Sequence, residues 1–511
     1  MLRRKNFKME QLSLELINSQ PELFEKLEVG PVEDMPEKII QFGEGNFLRA
    51  FADSKINDLN KAGLFNGKIV VVQPIKVGIA HLLNEQDGMY TLMLRGYQDG
   101  KLEESKEIIT SISRGMSPYE DYSEFLKCAR NPELRFMFSN TTEAGIAYVE
   151  EPKPENKTPD SFPAKAAAFL FERFQNFDGS PEKGMVIICC ELIENNASNL
   201  KKIILKHADN WKLGQDFVKW LRESCHFLNS LVDRIVPGYP RENATEIESE
   251  LGYRDKLIDT GEIFHLWVIE GPEEIAKELP FDKVGLNVVW TDDMTPYRTR
   301  KVRMLNGAHT SSVLGAYLSG LNTVGEMLDD EVYSNFLEKT LMEEILPYVD
   351  GELESNRKFA MSVLERFRNP YIKHELLSIS LNSVSKWKVR VMPSLLDYLK
   401  DKKVLPPRLT FSLAALIAFY QGVGCAAPEL RGDRNGEKYS IKDDVDILAF
   451  FESRWYSFAR NHDIRVLVGT VLANESLWGR DLTLVPGMID MVSAHLQNIL
   501  VNGSAEAAKN L

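Results

Sequence analysis

The stretch from residue 38 to residue 72 constrains the fold more than any other part of the chain. Residues 38–42 form an apolar run of strand length, and they lead directly into the glycine turn at 43–45. Apolar residues then recur with helical spacing from Asn46 onward, and Lys68–Val72 is a second run that is typical of a strand. A strand, a glycine turn, a helix and a strand in this order form a βαβ unit, which is built around parallel strands.

Strand-like and helical segments continue to alternate up to about residue 290. Beyond that point β-branched runs nearly vanish, and long amphipathic stretches dominate. We therefore expect an α/β N-terminal domain with a Rossmann-like, doubly wound, mostly parallel sheet, followed by a mainly α-helical C-terminal domain. The predicted divisions are a lead-in (residues 1–36), a dinucleotide-binding domain (37–290), a helical substrate and catalytic domain (291–502) and a flexible tail (503–511).

Charge and composition exclude several classes of function. A net charge of −14 over 511 residues leaves no concentrated basic face for nucleic acid. The apolar stretch 409–420 is shorter than the roughly 18–20 residues that cross a bilayer, so it predicts a buried helix and no membrane partner. Five cysteines without metal-ligand spacing indicate neither a disulfide framework nor a metal site. We therefore expect a cytoplasmic protein with no bound metal.

The glycine turn predicts a dinucleotide site at the start of the first helix. Gly43 would permit the tight bend, and Gly45 would let a pyrophosphate approach the helix N-terminus beside Asn46 and Phe47. The usual third glycine is replaced by Leu48, so a plain turn between a strand and a helix is an alternative interpretation.

Further contacts to a coenzyme are expected at the ends of neighbouring strands. Gln73 follows the second strand, where an acidic residue usually binds the adenosine ribose, so the sequence leaves the choice between NAD and NADP open. Asn140 and Thr141 follow a strand-like run at 135–139, in a position where a nicotinamide commonly lies.

Lys301, Asn306 and His309 form the most informative group of polar residues. Asn306 and His309 are three residues apart and so share one face of a helix, while Lys301 stands at or just before the helix start. A lysine, an amide and an imidazole that face one cleft could protonate and orient a carbonyl oxygen. A surface lysine beside an ordinary core histidine is the alternative.

These residues also carry a resemblance to the polyol-specific long-chain dehydrogenases, or mannitol dehydrogenase family. That group has a Lys-x-x-x-x-Asn-x-x-His pattern, which is matched at 301, 306 and 309. It also has a Gly-x-Gly-x-x-x-Arg-Ala-Phe start, matched at 43–51, and a Val-Asp-Arg-Ile segment that ends in proline, matched at 232–237. The resemblance runs from about residue 37 to about residue 500.

The resemblance implies a metal-independent hydride transfer between NAD and the ketone of a keto sugar acid. Lys301 would act as the general acid toward the forming alkoxide. Asn306 and a second asparagine would hydrogen-bond the oxygen. Family spacing favours Asn196 for the second position, and the neighbouring Asn195 remains open.

The resemblance also implies roles for residues around the lysine. His309 would orient substrate hydroxyls, and Asp233 would support Lys301, although Asp233 and the arginine that follows it could form only a structural ion pair. A substrate carboxylate needs cations, and three residues of the helical domain could supply them: Arg366, His374 and Lys386.

The expected partner is a small-molecule keto sugar acid, and the sequence decides neither its stereochemistry nor the direction of the reaction. Monomer and homodimer both stay open. A different sugar acid or a polyol is one alternative substrate. A nucleotide-binding regulatory protein that keeps the fold without the chemistry is an alternative of another class.

Overall fold

The computed structural model describes residues 9–98, 100–426 and 429–511 of the chain. The chain divides into two compact units, Met1–Met294 and Thr295–Leu511, which we call the α/β unit and the helical unit. The change of hydrophobic periodicity predicts a boundary after residue 290, close to this division.

The strands of the α/β unit are β1 (Glu28–Val29), β2 (Glu37–Phe42), β3 (Lys68–Val72), β4 (Tyr90–Gln98), β5 (Lys101–Ile109), β6 (Ile112–Met116), β7 (Phe136–Ser139), β8 (Val186–Cys189), β9 (His226–Leu228), β10 (Ser230–Asp233), β11 (Asp259–Glu262), β12 (Leu266–Glu270) and β13 (Val288–Thr291). Its helices are α1 (Leu14–Ser19), α2 (Asn46–Leu48), α3 (Ser54–Lys61), α4 (Ala80–Glu85), α5 (Tyr122–Ala129), α6 (Phe162–Asn176), α7 (Asn196–Asn210), α8 (Gln215–Glu223), α9 (Ala244–Leu251) and α10 (Glu273–Ala276). A π-helical turn, Arg49–Asp53, joins α2 to α3 without a break.

Six parallel strands form the main sheet of the α/β unit, in the order β6-β3-β2-β7-β8-β9. The chain starts at β2, moves outward through β3 and β6, and then returns to the other side of β2 through β7, β8 and β9. This is the doubly wound order of dinucleotide-binding sheets, so the predicted fold class is confirmed. The direction reverses between β2 and β7, and ligands of such folds bind beyond the carboxyl ends of the strands at this point.

Apolar residues cover both faces of the main sheet. Ile39 and Ile40 are adjacent on β2 and point to opposite faces, yet both are fully buried. Ile40 packs into the core that α5 to α8 cover, and Ile39 packs into the core on the side of α3. Continuous apolar runs such as residues 39–42 are expected for parallel strands that are covered on both sides.

The lead-in before residue 37 is part of the α/β unit. Leu12, Leu16 and Phe24 are buried in a small core with Tyr253 and Ile258. Strand β1 pairs in parallel with β5, in a second sheet of order β1-β5-β4-β11. A third sheet has the order β10-β12-β13. The sequence did not predict where the lead-in packs, because its partners Tyr253 and Ile258 lie more than 200 residues further along the chain.

The helices of the helical unit are α11 (Thr295–Arg300), α12 (Gly307–Leu318), α13 (Val324–Asp329), α14 (Glu331–Lys339), α15 (Leu353–Phe367), α16 (Leu376–Ile379), α17 (Ser383–Arg390), α18 (Met392–Lys402), α19 (Pro407–Phe419), α20 (Val445–Asn461), α21 (Ile464–Leu472), α22 (Glu475–Trp478), α23 (Met488–Asn502) and α24 (Ser504–Ala508). Two π-helical turns, Lys301–Asn306 and Thr340–Ile345, interrupt the α-helical geometry. Three strands, β14 (Gly422–Ala426), β15 (Glu429–Arg434) and β16 (Glu437–Lys442), form an antiparallel sheet.

Helix α19 is the central helix of this unit, and all its residues from Arg408 to Phe419 are buried. It contains the apolar stretch that predicts a buried helix. None of the described helices has both the length and the apolar character needed to cross a bilayer. The strands β14 to β16 were not predicted, because residues 429–442, which form β15 and β16, are mostly polar and β14 has only 5 residues.

The predicted flexible tail differs from the structure. Residues Ser504–Ala508 form helix α24, in which Ser504, Ala507 and Ala508 are buried. The Ser504 hydroxyl lies 2.7 Å from the hydroxyl of Tyr333 on α14. The small residues that predict a frayed tail are instead the ones that allow close packing.

Two buried carboxyl groups predict a pH-dependent stability of the α/β unit. Burial raises the pKa of Asp53 to about 8 and that of Asp259 to about 7, although Arg49 acts in the opposite direction on both. Because an unfolded aspartate titrates near a pKa of about 3.9, folding favours the protonated form of Asp53. The stability that protonated Asp53 contributes is therefore complete below about pH 3.9, where the unfolded chain is protonated too. It is lost as the pH rises through about 8.

We expect the free energy of unfolding of the wild-type protein, relative to Asp53→Asn, to fall between about pH 5 and about pH 8. Urea unfolding at several pH values measures this difference. The variant retains Asp259, so the comparison isolates the titration of residue 53. A difference that stays constant over the range would contradict the buried titration.

Candidate active site

The glycine turn after β2 requires glycine at its first position. Gly43 has a φ of +122°, and its N–H donates to the Val72 carbonyl at 3.1 Å. A Cβ at this position would lie 2.8 Å from the carbonyl oxygen of Asn140, which follows β7. Larger side chains would therefore separate β2 from β7 at the point where the strand order reverses.

Gly45 leaves the N-terminus of the next helix open. It is exposed, and an added Cβ would meet no atom within 4 Å. It caps the continuous helix over residues 46–61, and no side chain accepts a hydrogen bond from the first N–H groups. Open N–H groups at a helix N-terminus bind phosphate, so the turn fits the pyrophosphate of a dinucleotide.

A fully buried arginine holds the start of this helix. Arg49 donates to the side-chain oxygen of Asn46 at 2.6 Å and to the Leu257 carbonyl at 2.5 Å. Asn46 is therefore fixed beside the glycine turn, as a coenzyme contact requires. Phe47 instead stacks on Phe51, with ring centroids 5.0 Å apart, and packs against the core.

The amide of Gln73, which follows β3, lies close to the carboxyl group of Glu44 in the glycine turn after β2. The side chain of Gln73 donates to the Ile75 carbonyl at 2.8 Å, so it is engaged with its own loop. A Cβ added to Gly78 would lie 2.1 Å from an oxygen of Glu44 and 2.6 Å from the amide carbon of Gln73. Burial raises the pKa of Glu44, while two backbone N–H groups and Arg49 lower it. Glu44 thus lies beside Gln73 at the end of β3, a position for which the sequence of the β3 segment itself supplies no acidic residue.

Glu191 organises the loop after β7. Its carboxylate accepts hydrogen bonds from the backbone N–H and the hydroxyl of Thr141, both at 3.0 Å, and from the Ser139 hydroxyl at 3.0 Å. The amide of Asn140 donates to the Cys190 carbonyl at 2.8 Å. The predicted pair Asn140 and Thr141 therefore lies in a braced loop beside the Gly43 turn. Glu191 was not among the predicted site residues.

Asn196 is a bracing residue of the α/β unit. It is fully buried, and its side-chain N–H groups face the carbonyls of Cys189, Glu191 and Ser230 at 2.9 to 3.0 Å. Its oxygen accepts from the N–H groups of Ala197 and Ser230. These five contacts occupy the hydrogen-bonding capacity of the amide. The predicted role as an oxyanion donor is therefore not supported by this geometry.

Two other polar residues of this unit stand near the same strand ends. Asn195 precedes α7, has a φ of +52° and is exposed. Asp233 is buried at the end of β10, opposite Leu266 of β12. The guanidinium of the following residue, Arg234, faces the carbonyls of Ala50, Ile263 and Phe264 and the ring of His265.

We expect Asn196→Ala to destabilise the α/β unit by about 2–4 kcal/mol, because it leaves buried carbonyl and N–H groups without partners. Urea or thermal unfolding measures this loss. Asn199→Ala is the matched control: the Asn199 side chain is on the same helix and makes one hydrogen bond, to the Glu194 carbonyl. A stable Asn196→Ala variant with a lower turnover number would reverse the assignment and restore the oxyanion role.

In the helical unit, a π-helical turn sets the relation of Lys301 to Asn306. The turn spans Lys301–Asn306, and α12 continues directly from it. Five residues of an α-helix turn by about 500°, which would leave the two side chains about 140° apart. The wider π geometry, with roughly 4.4 residues per turn, brings them to within about 50°. Lys301 and Asn306 therefore lie on one face, and π turns often mark functional sites.

His309 lies one turn further along α12 and is buried. Its ring stacks on Phe367 with centroids 3.9 Å apart and planes 5° apart. His374 meets it edge-on at 5.3 Å. The Nε2 atom of His309 has no hydrogen-bond partner among the described residues. Burial lowers the pKa of His309 well below its usual value, so the ring is neutral near pH 7.

Four basic side chains surround His309 and lower its pKa further: His374, Arg366, Arg390 and Lys386. Arg366 is buried near the end of α15, and His374 is half-buried in the loop after it. Lys386 and Arg390 are four residues apart on α17, so they share one face. The three predicted carboxylate-binding residues are thus brought together within one unit. Arg390 was missed, because nothing in the sequence places α17 against α12.

Metal-ligand clusters are not evident in the described ranges, where no group of three or more His, Cys, Asp or Glu residues is placed to hold an ion. The cations around His309 instead form an environment for an anion. Such an environment, next to a lysine and an amide on one helical face, can bind and protonate a negatively charged carbonyl compound.

Two protein-family models match the chain, one for each unit. The mannitol dehydrogenase Rossmann domain matches residues 37–283, and the mannitol dehydrogenase C-terminal domain matches residues 293–500. The chain belongs to the mannitol dehydrogenase family. The glycine turn at 43–45 lies in the first matched region of this family, and Lys301, Asn306 and His309 lie in the second.

Two curated relatives match over nearly the whole chain. An altronate oxidoreductase of Yersinia enterocolitica is 46% identical over 480 residues, which cover 93% of this chain and 97% of the relative. An altronate oxidoreductase of Escherichia coli O7:K1 is 47% identical over 484 residues, which cover 94% and 98%.

Two solved structures share the fold of this chain. A D-sorbitol dehydrogenase in substrate-free form superposes with a TM-score of 0.78 at 21% identity, covering 98% of this chain and 100% of that one. A Pseudomonas fluorescens mannitol 2-dehydrogenase, in a ternary complex with NAD and D-mannitol, gives a TM-score of 0.68 at 20% identity, covering 98% and 99%. At these identities the likeness describes the fold alone.

Proposed function

We propose that this chain is an NAD-dependent oxidoreductase that reduces D-tagaturonate to D-altronate, in a reversible reaction of hexuronate catabolism. The observation that carries the proposal is the cluster of cations around His309, which suits a carboxylate-bearing sugar rather than a neutral polyol. The relatives that match over most of the chain are named altronate oxidoreductases, and altronate is the product of this reduction.

The helical unit supplies the acid chemistry. Lys301 gives its proton to the oxygen of the ketone as that oxygen becomes an alkoxide, and it takes the proton back in the reverse direction. Asn306, on the same face of the π turn, donates a hydrogen bond that stabilises the negative charge on the oxygen. His309 orients the sugar hydroxyls through its unpartnered Nε2 atom. The role of Asp233 stays a prediction from the family resemblance.

Binding of the substrate carboxylate requires positively charged side chains that are at least partly buried. Arg366 and Lys386 provide them, because both act on His309 and neither is fully exposed. Burial lowers the pKa of His374, so this ring is neutral near pH 7 and offers a hydrogen bond rather than charge. Arginine and lysine bind carboxylates through charge-assisted hydrogen bonds, which are stronger than neutral ones.

The α/β unit binds the coenzyme. Gly43 and Gly45 admit the pyrophosphate, Asn46 lies beside it, and Asn140 and Thr141 stand near the nicotinamide end. When bound, NADH supplies the hydride. Glu44 takes the place of the missing acidic residue beside Gln73, since its carboxylate favours a free ribose hydroxyl and repels the phosphate of NADP.

A reducing compartment suits the described cysteines. Cys128, Cys189, Cys190 and Cys225 are buried free thiols, and burial raises the pKa of each of them. These groups are therefore uncharged and unreactive, as in a cytoplasmic enzyme.

The experiment that tests the substrate is a panel assayed by NADH oxidation: D-tagaturonate, D-fructuronate, D-fructose, and D-tagaturonate with NADPH. We expect the highest kcat/KM for D-tagaturonate with NADH. A higher value for D-fructuronate would favour a fructuronate reductase, and a higher value for D-fructose a polyol dehydrogenase. Tight NADH binding without turnover of any compound would favour a regulatory nucleotide-binding protein.

A further inference from the structure

Helix α17 lies close to the start of α12 because residue 307 is a glycine. A Cβ at Gly307 would lie 3.0 Å from the backbone carbonyl oxygen of Arg390. This approach puts the last residue of α17 next to the segment between Asn306 and His309. Arg390 therefore belongs to the surroundings of the predicted catalytic group, although about eighty residues separate them in sequence.

The guanidinium of Arg390 has unused hydrogen-bonding capacity. It is half-buried, and its single hydrogen bond among the described residues is a long one, 3.5 Å to the hydroxyl of Thr310. No described carboxylate lies within ion-pair distance of it, and burial alone lowers its pKa. A guanidinium has five N–H donors, so most of those on Arg390 are available to a ligand.

Other cations of the helical unit are more fully engaged. Arg303 donates to Asp397 at 2.7 Å and to Ser394 at 3.0 Å. Lys386 donates to the Ile379 carbonyl at 2.9 Å. Burial and Arg390 lower the pKa of Lys386, and the carboxylate of Asp443 opposes them. Arg390 differs from both because it combines partial burial with the absence of an anionic partner among the described residues.

We propose that Arg390 recognises the carboxylate of the substrate and selects a sugar acid over the corresponding neutral ketose. This inference rests on the proposed function and adds a specificity residue to it. The planar guanidinium matches a carboxylate through two parallel hydrogen bonds, which a neutral hydroxymethyl group cannot accept in the same way. Lys386, one helical turn earlier on the same face, adds charge beside it.

The test compares D-tagaturonate with D-tagatose, the ketose that has a hydroxymethyl group in place of the carboxylate. The variants are Arg390→Met and Arg390→Lys, and the matched control is Lys388→Met. Lys388 is on the same helix but on another face, where its side chain lies 3.0 to 3.1 Å from the position of a Cβ on Gly479. Far-ultraviolet circular dichroism and urea unfolding report whether each variant is folded, and NADH binding, measured by fluorescence, reports whether its α/β unit is intact.

We expect Arg390→Met to raise KM for D-tagaturonate by about 10²-fold, with kcat/KM for D-tagatose and NADH affinity within about threefold of wild type. Arg390→Lys should recover part of the affinity, since it restores charge without the planar donor pair. Lys388→Met should behave as wild type.

Different results would contradict the role of Arg390 and the proposed function. Wild-type turnover of D-tagaturonate together with an unchanged KM in a folded Arg390→Met variant would overturn the inference alone. If Arg390→Met does not fold, an unchanged KM in Arg390→Lys would overturn it instead. Wild-type protein that binds NADH but does not reduce D-tagaturonate would overturn the proposed function, and the inference with it.

Discussion

Lys301→Ala is expected to lower kcat for ketone reduction by about 10²–10⁴-fold, the range that general acid catalysis contributes. The variant loses the proton that the forming alkoxide needs, while the glycine turn of the α/β unit is unchanged. NADH affinity should therefore stay within about threefold of wild type. Steady-state kinetics and fluorescence titration with NADH measure the two quantities. The loss should be similar in both directions of the reaction, because the same side chain gives and takes the proton.

Two controls connect this loss to the amine of Lys301. Lys388→Ala removes a lysine from helix α17 outside the predicted site, and its kcat should match wild type. Small primary amines added to Lys301→Ala should restore part of the activity, with a pH dependence that follows the pKa of the added amine. Turnover within about tenfold of wild type in Lys301→Ala would remove the lysine from the mechanism.

Asn306→Ala is expected to lower kcat by about 10²–10³-fold, as the loss of one oxyanion donor does. The π turn places Asn306 on the face of Lys301, so its amide can reach the same oxygen. The described residues make no hydrogen bond to this side chain, and it is only half-buried, so its removal should leave the free energy of unfolding nearly unchanged. Kinetics and urea unfolding measured on one preparation test both statements.

The variant Asn306→Asp tests whether the hydrogen-bond donor of Asn306, rather than the size of its side chain, is needed. It has the same size as asparagine but offers no N–H group at neutral pH and adds a negative charge, so its kcat should fall at least as far as that of the alanine variant. Asn199→Ala, which removes an amide from α7, should leave kcat unchanged. A normal kcat in both Asn306 variants would show that the oxygen is stabilised by another group.

Much of the fold could be predicted because its signals are local. The apolar run at 38–42, the turn at Gly43 and the β-branched run at 68–72 follow one another within a single βαβ unit. Patterning of this kind specifies parallel strands and their order of appearance. The small sheet of β14 to β16 lacked such a signal, because β15 and β16 alternate charged residues with few apolar ones.

The candidate site was predicted less completely, for reasons of geometry. The spacing of Asn306 and His309 is enough to put them on one helical face, but the π turn that aligns Lys301 with Asn306 has no sequence signature. Arg390 joins the group through packing of α17 on Gly307, which is a tertiary contact between distant segments. Such contacts are invisible to periodicity.

Asn196 illustrates a different limit of sequence patterns. A polar residue after a strand of a dinucleotide-binding sheet can face a ligand or brace the loops that surround it, and both roles select asparagine. Only the hydrogen bonds to Cys189, Glu191 and Ser230 distinguish them. Glu191 is a similar case, since its carboxylate is used entirely by the loop after β7 and the backbone near it.

The most direct test of the central claim is the stoichiometry of the wild-type reaction with D-tagaturonate. NADH oxidation is followed by its ultraviolet absorbance, and the sugar product is identified by nuclear magnetic resonance. The account predicts one D-altronate formed for each NADH consumed. Protein that binds NADH tightly but oxidises none of it with any keto sugar acid would contradict the account.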